Sequence, residues 1–404
     1  MLIRTNAPVF GASEQLTPVP GEWQFGFNYR GLESDDHYSG TQFQYQREST
    51  GNYVINTQQL YDLSLSYNFT ERITLFASLP IVNASWSLPT PPQPPLGPRR
   101  EQNSSGIGDI SALARFWMRT PAKHPNGNFS LGIGFKAPTG DYANEDEYPN
   151  INGTNDTAKA VDMSIQPGDG GWGILFDMQG YKRFQNTTFY GSGTYLANPR
   201  DTNGTPSIIV GLGFGANPAF ADLVENTVPD QYVARAGASF GIPKASMALS
   251  LGFRIEGVPR YDLIGESHGF RRPGYETFIE PGIAFNYGRN SWSLFVPKGL
   301  VRNRLPNPYT GAAGDATFPD YIVLLGYSYR FGGALPALNP IPDVNAPQKP
   351  IPTPTPTPAP DAAPGGAPAA SDPSAPGGAA APDAKPTPAP AAGSSGDLPV
   401  CGSS

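Results

Sequence analysis

Apolar and polar residues alternate along much of the chain before residue 331, in segments that resemble β-strands. In residues 22–30 every second side chain is aromatic, whereas those between are Gly, polar or charged. A period of two also runs through residues 246–257 and 320–331. Successive side chains of a strand point to opposite faces, so each segment predicts a strand with one apolar and one polar face. Segments of about 9–11 residues are long enough for tilted strands to cross a membrane.

Twelve segments follow this pattern, and their connections alternate in length. The connections after odd-numbered strands are long, the first two being 31–58 and 82–106, whereas those after even-numbered strands are short. This parity is typical of an outer-membrane barrel, with long loops outside and tight turns in the periplasm. Stretches 41–48 and 206–215 also alternate, and would form a loop hairpin or an extra strand pair. The predicted strands are 22–30, 59–69, 72–81, 107–119, 128–137, 171–184, 188–196, 231–241, 246–257, 274–287, 291–301 and 320–331.

Two folds explain strands with one apolar face: a soluble sandwich that packs this face on a core, and a membrane barrel that turns it to lipid. Aromatic residues recur at the ends of the segments, as in the girdles at the two membrane interfaces. Together with the connection parity, they favour the barrel. The predicted girdle residues are Trp23, Tyr29, Tyr275, Tyr287, Tyr327 and Phe331.

The polar faces are rich in Gly and Ser and carry charges in mid-strand. Facing a wet lumen, these charges would set the electric field that a passing solute meets. Alternatively, they would pair with one another and fill a closed barrel, because twelve strands enclose only moderately more space than eight. The sequence leaves both interpretations open. The predicted lumen-lining residues are Asp62, Asp109, Arg115, Asp177, Arg235, Arg254, Glu276 and Glu280.

The ends of the chain differ in composition from the strands. Residues 332–404 contain no aromatic residue and are rich in Pro, Ala and Gly, which predicts an extended, disordered tail. We therefore predict an all-β fold: a transmembrane antiparallel β-barrel of about twelve strands at 21–331, between a periplasmic extension at 1–20 and this tail. Residues 1–5 lack the apolar core of a secretory signal. We expect that a signal was removed or that the true start lies upstream.

The remaining composition argues against several other functions. The net charge of −7 argues against nucleic acid as a partner. A single Cys excludes an internal disulfide or a Cys-based zinc cluster, and three His residues argue against a His-rich metal site, so we expect no metal and no cofactor. His37 and His268 are expected on the surface of outer loops, away from any Ser that would complete a hydrolase site. The sequence therefore predicts a protein that is not an enzyme.

Three short Gly-rich motifs bear a family resemblance. They are Ser105 to Ile110, Lys136 to Asp141, and Gln166-Pro167-Gly168. With the strand pattern, they resemble the outer-membrane family called "meta-pathway of phenol degradation" proteins. That resemblance implies import of aromatic or other hydrophobic compounds. The first hypothesis is thus an outer-membrane channel for passive uptake of small solutes. The alternative is a structural outer-membrane protein with a plugged barrel, whose periplasmic tail tethers it to the cell wall or to a partner.

Overall fold

The computed structural model describes residues 18–311 and 314–333, and these form a closed antiparallel β-barrel of twelve strands. Each strand pairs with its neighbours in the chain, and β12 pairs with β1 to close the barrel. The predicted fold class and strand number are therefore confirmed. The strands are β1 (Glu22–Ser39), β2 (Ile55–Asn68), β3 (Ile73–Pro89), β4 (Arg99–Ile107 and Ser111–Trp117), β5 (Gly127–Lys136), β6 (Gly173–Phe184), β7 (Thr187–Ala197), β8 (Gln231–Ile242), β9 (Met247–Val258), β10 (Gly274–Tyr287), β11 (Asn290–Phe295 and Lys298–Arg304) and β12 (Ala316–Gly332).

The outward face of the barrel is an apolar belt. Large side chains at outward positions lie exposed, including Ile133 and Phe253, which are 61% and 64% exposed. Leaving such a side chain in water forgoes about 1.5–3 kcal/mol relative to burying it. A continuous belt of this kind is therefore built to contact lipid. The inward positions carry Gly, Ser and charged residues instead, which inverts the usual arrangement of a soluble core.

The predicted girdle residues all project from this outward face. Trp23, Tyr287 and Phe331 lie where the strands meet the short connections, which we call the turn end of the barrel. The other end is the loop end, and Tyr29 and Tyr275 lie closer to it. Tyr327 lies four residues before Phe331 on β12, farther from the turn end. Its ring centroid is 5.7 Å from that of Trp292. Contact of these residues with the membrane interfaces remains a prediction.

At the turn end the connections are tight. The pair 288–289 joins β10 to β11, and Gly288 adopts a φ of 62°, which favours Gly over residues with a side chain. The other short connections are 69–72, 118–126, 185–186 and 243–246, two of which contain the 3₁₀ turns Pro121–Lys123 and Pro243–Ala245. The predicted alternation of short and long connections is present except between β3 and β5, where the connections 90–98 and 118–126 both span nine residues.

Several strands continue further towards the loop end than the sequence predicted. β1 runs to Ser39 and β2 begins at Ile55, while β3 runs to Pro89 and β4 begins at Arg99. The predicted loops 31–58 and 82–106 are therefore wrong, and the connections are 40–54 and 90–98. Beyond the belt the outward face meets water, so polar residues point outward there and apolar residues point inward. In β3, for example, the inward residues Val82 and Trp86 are apolar, whereas Asn83 is exposed.

The long connections fold inward over the mouth and pack on these apolar inner faces. Two loop hairpins pair Glu145–Tyr148 with Thr157–Ala160 and Thr202–Pro206 with Glu225–Thr227. The remaining loop elements are the strand Gln42–Phe43, the helices Tyr45–Thr50 and Ile208–Gly211, and the 3₁₀ helix Pro218–Leu223. Among the described residues, no helix is long and apolar enough to span a membrane. The buried cluster at the mouth contains Leu60, Val82, Ala84, Trp86, Leu88, Tyr148, Val161, Ile165, Ile208, Leu212 and Phe270.

Candidate functional site

A cavity of about 200 Å³, which we call the lower cavity, occupies one side of the barrel interior and reaches the turn end. The inner faces of β1 to β4, β6 and β7 form most of its wall. β11 and β12 complete it, together with Lys136, Asp169 and Gln231 nearer the loop end. Four of the eight predicted lumen charges line it: Asp62, Asp109, Arg115 and Asp177. Small hydroxyl side chains make up much of the remaining wall: Ser64, Ser66, Ser78, Ser111, Ser291, Ser293 and Ser328.

The charges that line the lower cavity are held by neighbours on adjacent strands. Asp62 accepts hydrogen bonds from Asn28 Nδ2 at 3.2 Å and from the Ser78 hydroxyl. Arg115 donates from Nε to Asp177 Oδ1 at 2.8 Å. The second Asp177 oxygen accepts from Thr194 at 3.2 Å. These side chains therefore combine fixed positions with contact to the cavity, as a wall that orients a solute requires.

The opposite side of the interior, formed by β8 to β10 with β1, is filled by paired charges. Arg235 Nε donates to Glu280 Oε1 at 2.7 Å. Arg254 donates to Glu256 at 2.8 Å and lies 3.6 Å from Glu280. Arg30 donates to both oxygens of Glu256, from Nη1 to Oε2 at 3.1 Å and from Nη2 to Oε1. We call this chain of five residues, Arg235, Glu280, Arg254, Glu256 and Arg30, the Arg–Glu network.

Apolar side chains close the remaining space on this filled side. The buried cluster Leu32, Phe278, Phe295, Ile322 and Leu324 lies on the inner faces of β1 and β10 to β12. The Arg235 guanidinium stacks over the Phe295 ring at 5.1 Å from its centroid. An ion pair surrounded in this way is desolvated, and each charge depends on its partner.

Four predicted lumen residues, Arg235, Arg254, Glu276 and Glu280, face the interior but do not line the lower cavity within the described residues. Three of them belong to the Arg–Glu network. Glu276 lies nearer the loop end, where it accepts from Arg302 Nε at 3.1 Å. Arg302 also donates to Asp320 at 2.8 Å, across the wall between β11 and β12. Four of the predicted residues therefore line a cavity and three fill the interior as paired charges, while a role in setting the field that a solute meets remains a prediction.

A second cavity of about 130 Å³, the upper cavity, lies beneath the loops at the mouth. Asp169 and Gln231 line both cavities, so these residues lie between the two, and we call this place the junction. Lys136 Nζ forms an ion pair with the Asp169 carboxylate and lies 3.7 Å from Asp109 Oδ2. The junction thus carries one cation between two carboxylates.

The three Gly-rich motifs of the sequence meet at this junction. Both oxygens of Asp109 accept backbone hydrogen bonds, from Gly140 N at 3.0 Å and from Asp169 N at 3.1 Å. A Cβ on Gly168 would overlap the backbone of Gly140, so only Gly lets the two ends of the β5–β6 connection pack together. The motifs therefore anchor the ends of this connection on Asp109, and place its residues between the two cavities.

Sequence reasoning missed several residues of this site. Lys136 lies on the inward face of β5, and the period of two already places it there. Asp169 lies in a connection, where no periodicity applies, whereas Gln231 is the first residue of β8 and shares the inward face of Arg235. Glu256 and Arg30 carry the inward alternation of β9 and β1, but nothing in the pattern pairs them across 226 positions of sequence.

Ion pairs between charged loop residues hold together the long connections that cover the mouth, which we call the cap. Arg272 donates to both oxygens of Asp162, at 2.7 and 2.6 Å. Burial alone would raise the pKa of Asp162, but the charge and hydrogen bonds of Arg272, with two bonds from Ser164, hold this pKa below its ordinary value. The buried carboxylate therefore stays ionised and holds the β5–β6 and β9–β10 connections together.

The expected surface position of His37 is wrong. His37 is 3% exposed, because β1 extends past the predicted strand and turns this side chain inward. Its Nε2 accepts from Val54 N at 2.8 Å, and its Nδ1 lies 3.1 Å from Asp315. His268 is half-exposed and lies beside Asp201. No group of three or more His, Cys, Asp or Glu residues within 18–311 and 314–333 is arranged to hold a metal ion.

Comparison with known proteins establishes the fold class. The chain matches no protein-family model and no curated protein. Its fold resembles that of an outer membrane channel from Pseudomonas putida F1, with a TM-score of 0.51 and 14% sequence identity, over 81% of this chain and all of that one. The chain therefore has the fold of an outer-membrane β-barrel.

Two further structures show weaker likeness. One is a FadL homologue from Pseudomonas aeruginosa, with a TM-score of 0.36 and 10% identity over 77% of this chain and 89% of that one. The other is the toluene transporter TbuX from Ralstonia pickettii, with a TM-score of 0.36 and 11% identity over 77% of this chain and 90% of that one. Membership of the family that the motifs resemble remains a prediction.

Proposed function

We propose that this protein is a bacterial outer-membrane channel for the passive uptake of small solutes, including aromatic and hydrophobic ones. One observation carries the proposal: two cavities follow each other through the interior, and Asp169 and Gln231 line both of them. A purely structural barrel has no need of two adjoining cavities lined by hydroxyl groups and fixed charges. The barrel fold, which this chain shares with a channel, supports the same function.

The orientation follows from the connections. Long loops cap one end and tight turns close the strands at the other, so the loop end faces outward and the turn end the periplasm. A solute would enter beneath the loops, pass the junction at Asp169 and leave through the lower cavity. The outward belt would hold the barrel in the lipid of the outer membrane.

The wall of the path suits small molecules of mixed polarity. Ser64 and Ser78 offer hydroxyl groups that exchange hydrogen bonds with water or a solute, while Phe76 and Leu113 give the lower cavity apolar patches. Because Arg115 and Asp177 neutralise each other, a neutral solute passes them without meeting an unpaired charge. The junction, with Lys136 between two carboxylates, is the place where charge would discriminate between solutes.

Conductance in a planar bilayer tests the proposal directly. The full chain, refolded and inserted, should give discrete openings, and a small aromatic acid such as benzoate should reduce the current at millimolar concentration. A folded and inserted barrel that stays silent at all voltages would contradict the proposed channel. Liposome swelling with neutral aromatic solutes would check passage that carries no current.

A second candidate function rests on the filled side. The Arg–Glu network stiffens the barrel without contributing to the path, as a structural protein would require. In this function the tail at 332–404, which lies outside the described residues from position 334 onward, would tether the barrel to the cell wall or a periplasmic partner. Removing residues after Gly333 should then weaken the envelope, measured as detergent sensitivity, while the barrel still inserts. An envelope that stays intact would remove the support for a tether.

A further inference from the structure

The upper cavity contains a cationic side chain whose charge no neighbour neutralises. Arg304 lies at the end of β11, is 5% exposed and lines this cavity. Three of its five N–H groups donate to backbone carbonyls, those of Pro273, Leu305 and Arg271. Its Nε is buried and has no hydrogen-bond partner among the described residues. Backbone carbonyls carry only partial charge, so the guanidinium keeps its net positive charge.

The acidic groups around the cavity are already engaged by other cations. Asp162 is held by both nitrogens of Arg272. Asp315 forms an ion pair with Arg47 at 2.6 Å and accepts from His37. Asp169 pairs with Lys136. Within residues 18–311 and 314–333, no carboxylate lies within 4.0 Å of the Arg304 guanidinium. One positive charge is therefore in excess at this wall.

Part of the wall is apolar, although polar residues such as Asn56, Gln166 and Thr227 line the cavity too. Trp86, Met163, Val258 and Phe318 line the cavity beside Val54 and Ala316. The cavity volume is about 130 Å³. An apolar cavity of roughly 150 Å³ holds one benzene ring in a protein core. The space beside Arg304 thus fits a single ring or an aliphatic chain of similar volume, and the cationic end would fix an anionic group upon it.

We propose that the upper cavity is a binding site for small organic carboxylates, with the ring or chain on Trp86 and Phe318 and the carboxylate on Arg304. Guanidinium groups bind carboxylates through paired, charge-assisted hydrogen bonds, and burial makes such bonds stronger than they are in water. This inference deepens the proposed channel function, on which it rests, by naming the solute class that the mouth selects. Inorganic phosphate would satisfy the guanidinium but leave the apolar wall unused.

Residue 314 offers a way to test the excess charge without touching Arg304. A Cβ on Gly314 would lie 3.4 Å from Arg304 Nη2, in ordinary contact. Gly314→Asp therefore supplies an internal carboxylate that competes for the guanidinium, whereas Gly314→Asn adds a side chain of the same shape without charge. Arg304→Gln removes the cation itself, and Arg119→Gln, at an exposed position of a turn, removes one charge elsewhere.

The measurement is equilibrium dialysis of labelled benzoate against the full chain in detergent, with benzyl alcohol as the neutral probe of similar size. Benzoate should bind at least about tenfold more tightly than benzyl alcohol, because only benzoate forms the charged hydrogen bonds. Gly314→Asp and Arg304→Gln should each weaken benzoate binding by about tenfold or more. Gly314→Asn and Arg119→Gln should leave benzoate binding within about threefold of the wild type, since both keep the Arg304 charge free. Phosphate at equal concentration should displace little benzoate.

Equal affinity for benzoate and benzyl alcohol, or no binding of benzoate, would overturn the site, and neither comparison needs a variant. Equal effects of Gly314→Asp and Gly314→Asn in folded protein would also overturn it. Benzoate binding by a barrel that never conducts would leave the site intact and contradict the channel. A conducting barrel that fails to bind benzoate would retain the channel and refute the site.

Discussion

The two sides of the barrel interior are built from the same alternation of residues, but one side encloses a cavity and the other is filled by side chains. On the side of the lower cavity, Asp62 is held by Asn28 and Ser78, and small side chains leave space beside it. On the filled side, Arg235 reaches Glu280 two strands away, and Phe295 covers the pair. The size and pairing of the inward side chains, rather than their polarity, therefore determine where the interior is open.

The two sides should also differ in how much stability the barrel loses when a charged residue loses its partner. Asp62 and Arg115 are only 3% and 2% exposed, but both border the lower cavity, so water that enters this cavity can solvate either charge when its partner is removed. A charge in the Arg–Glu network has exchanged its water for one or two partners, and removing a partner leaves an unpaired buried charge. The same kind of substitution should therefore destabilise the two sides to very different extents.

The largest expected effect is on the filled side. Glu280→Gln leaves Arg235 without its carboxylate, and we expect the free energy of unfolding to fall by about 3–5 kcal/mol. Asp62→Asn is the matched change at the cavity: it keeps the hydrogen-bonding shape and should cost about 1 kcal/mol or less. Urea unfolding of both variants in lipid vesicles measures the contrast. Equal losses would mean that the two sides do not differ in solvation.

The next effect concerns the junction between the cavities. Gly168→Ala forces a Cβ against the backbone of Gly140, and the displaced connection should cost about 1–3 kcal/mol and change the conductance. Gly191→Ala is the control, because a Cβ there would meet nothing closer than 3.8 Å. Conductance and thermal unfolding are recorded for each variant. A Gly168→Ala channel identical to the wild type would show that the β5–β6 connection does not narrow the path.

A smaller effect is expected on ion selectivity. Asp62→Asn removes a negative charge from the wall of the lower cavity and should lower the preference for cations, by at most about fivefold. Two unit charges 4 Å apart in water interact by only about 1 kcal/mol. Glu71→Gln, at an exposed turn residue, should leave the reversal potential unchanged. Selectivity that responds equally to both changes would place the controlling charges outside the cavity.

The smallest effect is the pH dependence of the cap at the mouth. The folded-state pKa of Asp162 lies below its ordinary value of 3.8, so its contribution to stability is fully present above pH 3.8 and is lost as the pH falls through the lower, folded-state value. The protection factors for hydrogen exchange in the β5–β6 and β9–β10 connections should therefore stay constant from pH 7 to about pH 4. Asp162→Asn should raise exchange there at every pH. Loss of protection in the wild type near pH 6 would assign the cap to another group.

The strands show how far sequence reasoning reaches. β10 was predicted at 274–287 and occupies Gly274–Tyr287, where a two-residue turn follows it. β1 was predicted to end at residue 30 but continues to Ser39, past a shift in register between Leu32 and Asp36. Beyond this shift the apolar side chains no longer point outward. A prediction that assumes one apolar face along the whole strand therefore ends the strand too early.

The site was less predictable than the fold. A period of two gives the face of Asp62 and of Arg235 equally well, and both point inward. Whether open space lies beside them depends on partners from distant strands, as with Arg30 and Glu256. It also depends on the loops that enter the mouth, whose apolar residues, such as Tyr148 and Ile165, follow no strand period.

Accessibility of the interior tests the central claim most directly. In a Cys401→Ser background, Ser64→Cys places a thiol on the lower cavity, and Ser250→Cys places one on the inner face of β9 beside the filled side. A charged, water-soluble thiol reagent should modify Ser64→Cys within minutes and reduce its conductance, while Ser250→Cys stays unmodified in the folded barrel. Equal modification of the two thiols, or a protected thiol at position 64, would contradict an interior that is open on one side and filled on the other.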